Sequence, residues 1–247
     1  TPIWALPGLD MPKIMQEMNY GCGSTVNPRD LVNDPTILYV GVGGGMELLQ
    51  FSYFSRQKNG VIGVDVVDEM LEASRKNFEE AEKLNPWFKS DFVRLEKGDA
   101  LNLPVEDSSV DVAAQNCLFN IFKEDDLKRA LEEMFRVLKP HGRLVLSDPT
   151  CEQEMPESLK NDETLRALCL SGSMPLQKYI DMITDAGFGT VEIRARRPYR
   201  ILDPRSYDTD VQIYIESVEV CAIKDPMADD GPCVFTGKTA IYYGDEE

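Results

Sequence analysis

The sequence predicts an α/β protein built on a doubly wound, mostly parallel sheet with antiparallel edge strands and a C-terminal β extension. Three observations support this fold class. Short apolar segments alternate with segments of helical periodicity through residues 36–148, as in a parallel sheet covered by helices on both faces. A glycine-rich stretch follows the first apolar segment directly. Beyond residue 190 the apolar segments lack intervening helices, which is consistent with antiparallel closure of the sheet edge.

Composition limits the classes of function. The chain has 247 residues, 43% of them hydrophobic, which is enough for one sizeable α/β core. Its 43 acidic and 26 basic residues give a net charge of −17, so a nucleic acid would be repelled. No apolar segment approaches the roughly 18 to 20 residues of a membrane span, and no leader pattern opens the chain. We therefore expect a cytoplasmic protein without nucleic-acid or membrane partners.

Three segments are expected along the chain: a lead-in over residues 1–35, a core over 36–148, and insertion helices with C-terminal strands over 149–247. The lead-in combines a short amphipathic helix at Leu9–Met18 with a glycine-broken loop at Asn19–Ser24. The lead-in therefore places a loop directly ahead of the core.

The remaining elements follow from periodicity. Helical patterns occur at 46–56, 69–84, 125–138 and 176–186. Apolar segments with the length of strands occur at 36–40, 60–65, 92–97, 110–117, 143–148, 191–197, 211–223 and 234–243. Pro140 is expected to end the third helix, and residues 150–174 form a polar, helix-prone insertion.

The glycine stretch predicts a ligand site. Gly41, Gly43, Gly44 and Gly45 separate the first strand from the first core helix. Glycine has no Cβ, so backbone N–H groups and a helix N-terminus can approach a nucleotide-like ligand. A tight strand-to-helix connection is the alternative at this point.

Further positions indicate which class of ligand binds there. Asp65 follows the second strand and can accept hydrogen bonds from both ribose hydroxyls of an adenosine, or it can cap the next helix. A dinucleotide fingerprint needs a glycine where Met46 stands, so the spacing favours S-adenosylmethionine over a dinucleotide. Asp99 follows the third strand, where an acid can bond an adenine amino group, and Asn116 ends the fourth.

The order of these positions resembles that of class I S-adenosylmethionine-dependent methyltransferases across residues 36–148. The resemblance includes the later motif Arg136-Val137-Leu138-Lys139-Pro140-His141-Gly142-Arg143-Leu144. The resemblance implies a Rossmann-like sheet of the class I methyltransferase type. Tyr39 stands where that family usually has an acid. The resemblance also implies that S-adenosylmethionine is bound by Tyr20, Gly41, Gly43, Gly45, Asp65, Val66, Met70, Asp99, Ala100 and Asn116.

The cysteines carry the prediction of the methyl acceptor. The six cysteines include no close-spaced pair of the zinc or redox kind, so reduced thiols are expected. They stand at positions 22, 117, 151, 169, 221 and 233. The single histidine, His141, lies in a Pro-His-Gly turn, so any chemistry proceeds without a histidine base.

Within the superfamily, three motifs are similar to arsenite methyltransferases: Tyr20-Gly21-Cys22-Gly23, Gln115–Asn120 and Leu168–Ser173. The tail, Gly231–Tyr242, resembles the branch associated with arsenosugar biosynthesis. The resemblance implies that Cys22 and Cys169 bind trivalent arsenic, with Cys233 as the preferred third thiol and Cys221 as the less favoured one. Cys117 is interpreted as a core or cofactor-wall residue and Cys151 as a loop cysteine.

The chemistry agrees with these thiols. Trivalent arsenic is a soft centre that prefers thiolate sulfur, and three thiols in place of three hydroxyls leave an arsenic lone pair that attacks the methyl group in line. Such a reaction needs positioning and no general base. Methylation formally oxidises arsenic, so turnover requires an external thiol reductant such as glutathione or thioredoxin.

Three other functions stay open at this point. The acceptor is a small organic nitrogen, oxygen or carbon nucleophile in the first alternative. In the second, the chain is a non-catalytic metalloid- or zinc-binding module that uses three cysteines. A nicotinamide-dependent oxidoreductase is the third, and Met46 weakens it.

Overall fold

The computed structural model describes residues 6–31, 33–207 and 209–236. The strands in these ranges form one sheet. They are β1 (Ile37–Val40), β2 (Val61–Asp65), β3 (Val93–Lys97), β4 (Val110–Asn116), β5 (Leu138–Cys151), β6 (Thr190–Leu202), β7 (Ile213–Ile223) and β8 (Cys233–Phe235). Their order across the sheet is β3-β2-β1-β4-β5-β7-β6-β8.

The strand directions confirm the predicted fold class. Strands β1 to β5 pair parallel with one another. Strand β7 runs antiparallel to both β5 and β6, and β8 pairs parallel with β6. The sheet is therefore doubly wound and mostly parallel, with β7 as its antiparallel member and β6 to β8 as the C-terminal extension.

Helices cover both faces of the sheet. They are α1 (Lys13–Glu17), α2 (Met46–Ser55), α3 (Asp68–Leu84), α4 (Glu124–Val137), α5 (Glu157–Lys160), α6 (Glu163–Ala167) and α7 (Leu176–Asp185). One buried cluster packs α4 and α7 against the sheet, through Leu131 and Ile183 among others. A second cluster on the other face packs α2 and α3, through Phe51 and Phe78. Burial of these apolar side chains is the main term that stabilises the fold.

Two predicted boundaries differ from the structure. Helix α4 ends at Val137, and β5 begins at once with Leu138, so Pro140 lies inside a strand. A register shift against β4 between Val110 and Val112 accommodates this irregular start. The lead-in helix is shorter than predicted because it begins only after Pro12. Of the predicted last strand, residues 237–243 lie outside the described residues.

A buried ion pair ties the lead-in to the sheet. The Asp30 side chain is 1% exposed and accepts hydrogen bonds from both terminal nitrogens of Arg194 on β6. Arg143 Nη1 on β5 lies 3.2 Å from Asp30 Oδ1. Because a buried carboxylate without a partner is costly, this arrangement fixes where the lead-in meets the two strands.

Among the helices in the described ranges, none is both long enough and apolar enough to span a membrane.

We expect Asp30→Asn to lower the free energy of unfolding by about 3 kcal/mol, since it leaves the Arg194 guanidinium without its buried counter-charge. Urea denaturation followed by circular dichroism measures this change. Asp91→Asn is the matched control, because Asp91 forms an exposed pair with Lys58 at 3.8 Å, and its loss costs less than about 1 kcal/mol. Equal effects of the two substitutions would show that the buried pair does not stabilise the fold.

Candidate active site

A cavity of about 310 Å³ opens beyond the carboxyl ends of β1 and β4. These neighbouring strands mark the point where the strand order reverses, since β2 and β3 lie on one side and β5 to β8 on the other. Ligands of doubly wound sheets bind in the crevice at such a point. The cavity is therefore the expected ligand site, and its volume is in the range of small-molecule pockets.

The glycine loop forms one wall of the cavity. Gly41, Gly43 and Gly45 have φ angles of 81°, 51° and 84°, a region that side chains rarely adopt. A Cβ atom on Gly43 would meet nothing within 4 Å, so its backbone is open to the cavity. A Cβ atom on Gly45 would lie 2.9 Å from the Phe78 ring, so Gly45 serves helix packing. Gly44 lines the cavity in its place.

Asp65 lies at the end of β2 and lines the same cavity. Its Oδ2 accepts a hydrogen bond from the Val42 N–H at 2.9 Å, and its Oδ1 accepts one from the Val67 N–H at 2.9 Å. Val67, and not Asp65, occupies the N-cap position of α3. Each carboxylate oxygen has a second lone pair, so Asp65 can still accept ligand hydroxyl groups.

The other predicted cofactor positions divide into two groups. Tyr20, Met70 and Asn116 line the cavity. Val66, Asp99 and Ala100 are absent from its lining. Val66 is 61% exposed, and its neighbour Val67 lines the cavity in its place. Asp99 Oδ1 accepts the Leu101 N–H at 2.9 Å, and Ala100 packs in the core.

Glu47 is a cavity residue that the sequence analysis missed. It lies in the first turn of α2 and accepts hydrogen bonds from the Tyr39 hydroxyl, from Thr25 Oγ1 at 2.7 Å and from Asn116 Nδ2 at 3.1 Å. Burial raises the pKa of Glu47 and also that of Tyr39. The acid that is absent from position 39 of β1 is thus supplied by the helix that follows the glycine loop.

Cys22 is held over the end of β4 by backbone hydrogen bonds. Its N–H donates to Asn116 Oδ1 at 3.1 Å, and its carbonyl accepts from Ser217 Oγ at 2.8 Å. Cβ atoms on the neighbouring glycines would collide, at 2.5 Å from Asn116 Nδ2 for Gly21 and 2.2 Å from Ser147 Oγ for Gly23. The Gly-Cys-Gly sequence therefore lets the loop lie directly on the sheet edge.

Cys169 reaches the same place from the insertion. It follows α6 with a φ of 58°, and its Sγ donates to the Cys117 carbonyl oxygen at 2.8 Å. Cys117 directly follows β4 and has a φ of 60°. The Cys117 thiol lies within hydrogen-bonding reach of the thiols of both Cys22 and Cys169. Three thiols from three distant segments thus lie close together, and Cys117 among them lines the cavity.

Hydrogen bonds among the three thiols shift their pKa values in different directions. A hydrogen bond from the Cys117 thiol lowers the pKa of Cys22, with a further contribution from Ser147. The pKa of Cys117 is raised because it is the donor. A hydrogen bond from Cys117 also lowers the pKa of Cys169, whose sulfur donates to the Cys117 carbonyl oxygen. These hydrogen bonds therefore favour ionisation of Cys22 and Cys169 over that of Cys117.

Asp148 is a buried acid beside these thiols. Its Oδ2 accepts hydrogen bonds from the Tyr179 hydroxyl at 2.6 Å and from Gln115 Nε2. Its Oδ1 has no partner in the part of the chain that the structure describes. Burial, and then the nearby charge of Cys22, raise the pKa of Asp148. Burial therefore favours the protonated, neutral form of Asp148.

The two predicted candidates for the third thiol lie away from Cys22 and Cys169. Cys233 is exposed on β8, where it pairs with Thr190 at the start of β6. Strand β6 runs from there toward the crevice, so Cys233 lies at the opposite edge of the sheet from Cys22. Cys221 is buried in β7 opposite Val145, with Asp30 and Arg194 as its charged neighbours. Neither thiol is brought to Cys22 and Cys169.

The remaining cysteine, Cys151, donates its thiol to the Gln153 carbonyl oxygen at 2.8 Å, and burial raises its pKa to about 12. Within the described ranges, no three His, Cys, Asp or Glu side chains are arranged as they stand to hold a metal ion.

A second cavity of about 470 Å³ adjoins the first. Asn19, Tyr20 and Gly21 line both cavities, whereas Cys169 and Arg200 line only the second. The Tyr20 side chain is 81% exposed and stands between them. The thiols therefore lie between two openings, one at the glycine loop and one at the insertion.

Comparisons with known proteins agree with this geometry. Residues 38–146 match the family model described as a methyltransferase domain. The arsenite methyltransferase of Halobacterium salinarum is 28% identical over 87% of this chain and 52% of its own length. The mouse arsenite methyltransferase is 31% identical over 63% of this chain and 41% of its own length. The chain thus spans about half the length of the curated relatives that it matches.

A solved structure shows the same architecture. The crystal structure of an arsenic(III) S-adenosylmethionine methyltransferase from Chlamydomonas reinhardtii superimposes with a TM-score of 0.75 at 25% identity, over 88% of this chain and 72% of that one. Together with the sheet order and the glycine-loop crevice, these findings show that the chain has the fold of a class I methyltransferase and is similar to arsenite methyltransferases over most of its length.

Proposed function

We propose that the chain transfers the methyl group of S-adenosylmethionine to trivalent arsenic that is held by cysteine thiolates. The observation that supports this most is the meeting of Cys22 and Cys169 just after β4, because residues so far apart in sequence are held by Asn116 and Cys117, which line the glycine-loop cavity. On this proposal residues 36–148 bind the cofactor, and residues 1–35 and 149–247 contribute to the acceptor site.

The cavity suits a cationic cofactor. Asp65 is placed for ribose hydroxyl groups, the open backbone at Gly43 allows close approach, and Tyr20 and Met70 provide flat and apolar walls. Glu47 is a buried acid on the same cavity, and a positive ligand would offset the cost of its charge. When bound, S-adenosylmethionine supplies an electrophilic methyl group on a positively charged sulfur.

The acceptor site suits a soft, trivalent centre. Each thiol that binds arsenite replaces one hydroxyl group and releases one water, so binding consumes no base. The lowered pKa of Cys22 favours its reaction with arsenite. The raised pKa of Asp148 disfavours a second negative charge beside the sulfur group. The remaining lone pair on arsenic then acts as the nucleophile, and the contribution of the protein is positioning.

Turnover requires electrons, because methyl transfer to the lone pair formally oxidises arsenic. We infer that glutathione or thioredoxin supplies them as an external thiol reductant. A site made of reduced cysteines would function in the cytoplasm, where such reductants keep thiols reduced.

We expect Cys22→Ser and Cys169→Ser each to reduce arsenite methylation by at least about 100-fold, because a hydroxyl does not hold arsenic in place for attack. The assay measures methylated arsenicals by mass spectrometry, in the presence of cofactor, arsenite and a thiol reductant. Cofactor affinity, measured by calorimetry, should stay within about twofold in both variants, since neither cysteine is needed to hold the cofactor.

Cys233→Ser is the matched control for this assay, and it should keep wild-type activity because Cys233 lies at the far edge of the sheet. Full arsenite methylation by both Cys22→Ser and Cys169→Ser would show that these thiols do not hold the acceptor. Normal cofactor binding by the wild-type protein, with neither arsenite binding nor methylation, would point to an organic acceptor. Arsenite binding without methylation in the wild-type protein would point to a non-catalytic binding module.

Asp65→Asn should weaken cofactor binding by about 10 to 100-fold, the range expected when hydrogen bonds to a charged group are lost. Calorimetric titration with S-adenosylhomocysteine measures it. Asp68→Asn, which removes an exposed carboxylate paired with Lys97 at the start of α3, serves as the control. If both variants bind equally well, Asp65 does not contact the ribose.

Asp148→Asn should flatten the dependence of stability on pH. The native pKa of Asp148 is raised above its unfolded value of about 3.9. Between these two values the folded protein holds a proton that the unfolded chain has lost, so wild-type stability falls as pH rises through that window. The amide of the Asp148→Asn variant does not titrate in this range, and its oxygen still accepts the hydrogen bond from the Tyr179 hydroxyl.

Thermal melting from about pH 4 to about pH 8 measures this effect. The difference in melting temperature between Asp148→Asn and wild type should grow as the pH rises. Asp185→Asn, an exposed substitution at the end of α7, provides the control profile and should run parallel to wild type. A constant difference between Asp148→Asn and wild type across the range would show that Asp148 is ionised in the native protein.

A further inference from the structure

We propose that Cys117 is the third thiol ligand of arsenic, so that inorganic arsenite is held by Cys22, Cys117 and Cys169. This inference rests on the proposed function and specifies its acceptor site. It assigns to Cys117 a direct bond to the substrate, in place of the structural role that its position at the end of a buried strand indicates.

The position of Cys117 between the other two thiols is the first argument. Its carbonyl oxygen accepts from Cys169 Sγ at 2.8 Å, while the adjacent residue, Asn116, holds the backbone of Cys22 through a hydrogen bond of 3.1 Å. The Cys117 thiol is within hydrogen-bonding reach of both other thiols. One atom bound to Cys22 and Cys169 would therefore lie beside the Cys117 sulfur.

The backbone of Cys117 is the second argument. Its φ of 60° lies in the left-handed region, which costs a residue with a side chain on the order of 1 kcal/mol or more. A hydrogen bond of 2.7 Å from its N–H to the Ser147 carbonyl oxygen holds this conformation. Cys169 has a similar φ of 58°. Two strained cysteines that face each other are typical of a functional site and not of simple core packing.

The cavities give the third argument. Cys117 lines the cavity at the glycine loop, whereas Cys169 lines the adjoining cavity at the insertion. A ligand shared by the two residues would thus enter from the insertion side and face the cofactor side. Cys117 is only 9% exposed, as is common for an inert core cysteine. Its thiol, however, lies within hydrogen-bonding reach of two other thiols and is not surrounded by apolar groups alone.

The stoichiometry follows from the chemistry of arsenite. Three arsenic–oxygen bonds break as three arsenic–sulfur bonds form, and each thiol proton leaves with a hydroxyl group as water, so no electron is transferred. Because the thiols do not form a closed site as they stand, rotation about the Cα–Cβ bonds of the cysteines brings the sulfurs together. An arsenical with one organic substituent has only two exchangeable positions, so two of the thiols suffice for it.

Arsenic-edge X-ray absorption of the full chain with bound arsenite, without cofactor, tests the proposal. Wild type should show three sulfur neighbours around arsenic. Cys117→Ser should show two sulfurs and one oxygen, and its arsenite affinity should fall by at least about tenfold, the minimum expected when even an outer partner of a metal site is lost. Its affinity for phenylarsenic(III), which needs two thiols, should stay within about twofold. Cys233→Ser is the matched control and should retain three sulfurs.

The outcomes separate this proposal from the function on which it rests. Three sulfurs in Cys117→Ser, with two in Cys22→Ser and in Cys169→Ser, would overturn the role of Cys117 and leave the proposed function intact. Three sulfurs in all these variants would overturn the acceptor site itself. If Cys117→Ser does not fold, as shown by circular dichroism, the arsenic anomalous peak in arsenite-soaked wild-type crystals decides. A peak within bonding distance of the Cys117 sulfur supports the proposal, and a peak bonded only to other atoms overturns it.

Discussion

The side chain of Asn116 is the contact on which the rest of the site depends. It stands at the end of β4, accepts from the Cys22 N–H, and donates to the Gly23 carbonyl oxygen at 3.0 Å and to Glu47 at 3.1 Å. One amide thus joins the lead-in loop, the sheet and the first core helix. Both hydrogen-bonding ends of the amide are used, as a mostly buried polar group requires. The cavity wall and the position of the first thiol both follow from this contact.

Periodicity predicted the parallel core well, because each strand and helix buries one local pattern of apolar residues. The contacts between residues of the site could not be predicted in this way. The hydrogen bond between Cys22 and Asn116 joins residues 94 positions apart, and no local pattern encodes such a contact. Glu47 left a weak signal, an acid in the first turn of the helix after the glycine loop, and its pairing with Tyr39 needed the fold to become visible.

The position of the third thiol could not be predicted from a motif. Cys233 lies in a tail motif, but β8 joins the sheet beyond β6, and this places the residue at the edge away from the crevice. Cys117 directly follows a buried strand, whose residues normally alternate between faces. Its left-handed conformation breaks that alternation. A turn of this kind in a non-glycine residue has no reliable signature in composition or spacing.

The antiparallel course of β7 has a consequence for how the protein is made. Ser217 and Glu219 on this strand hold the Cys22 loop, through hydrogen bonds to the Cys22 carbonyl and from the Ser24 N–H. During synthesis the amino-terminal segments emerge first, so two of the contacts that hold the Cys22 loop form only with residues that lie 195 positions later in the chain. The segment that carries the first thiol is therefore fully fixed only after β7 has been synthesised and has joined the sheet.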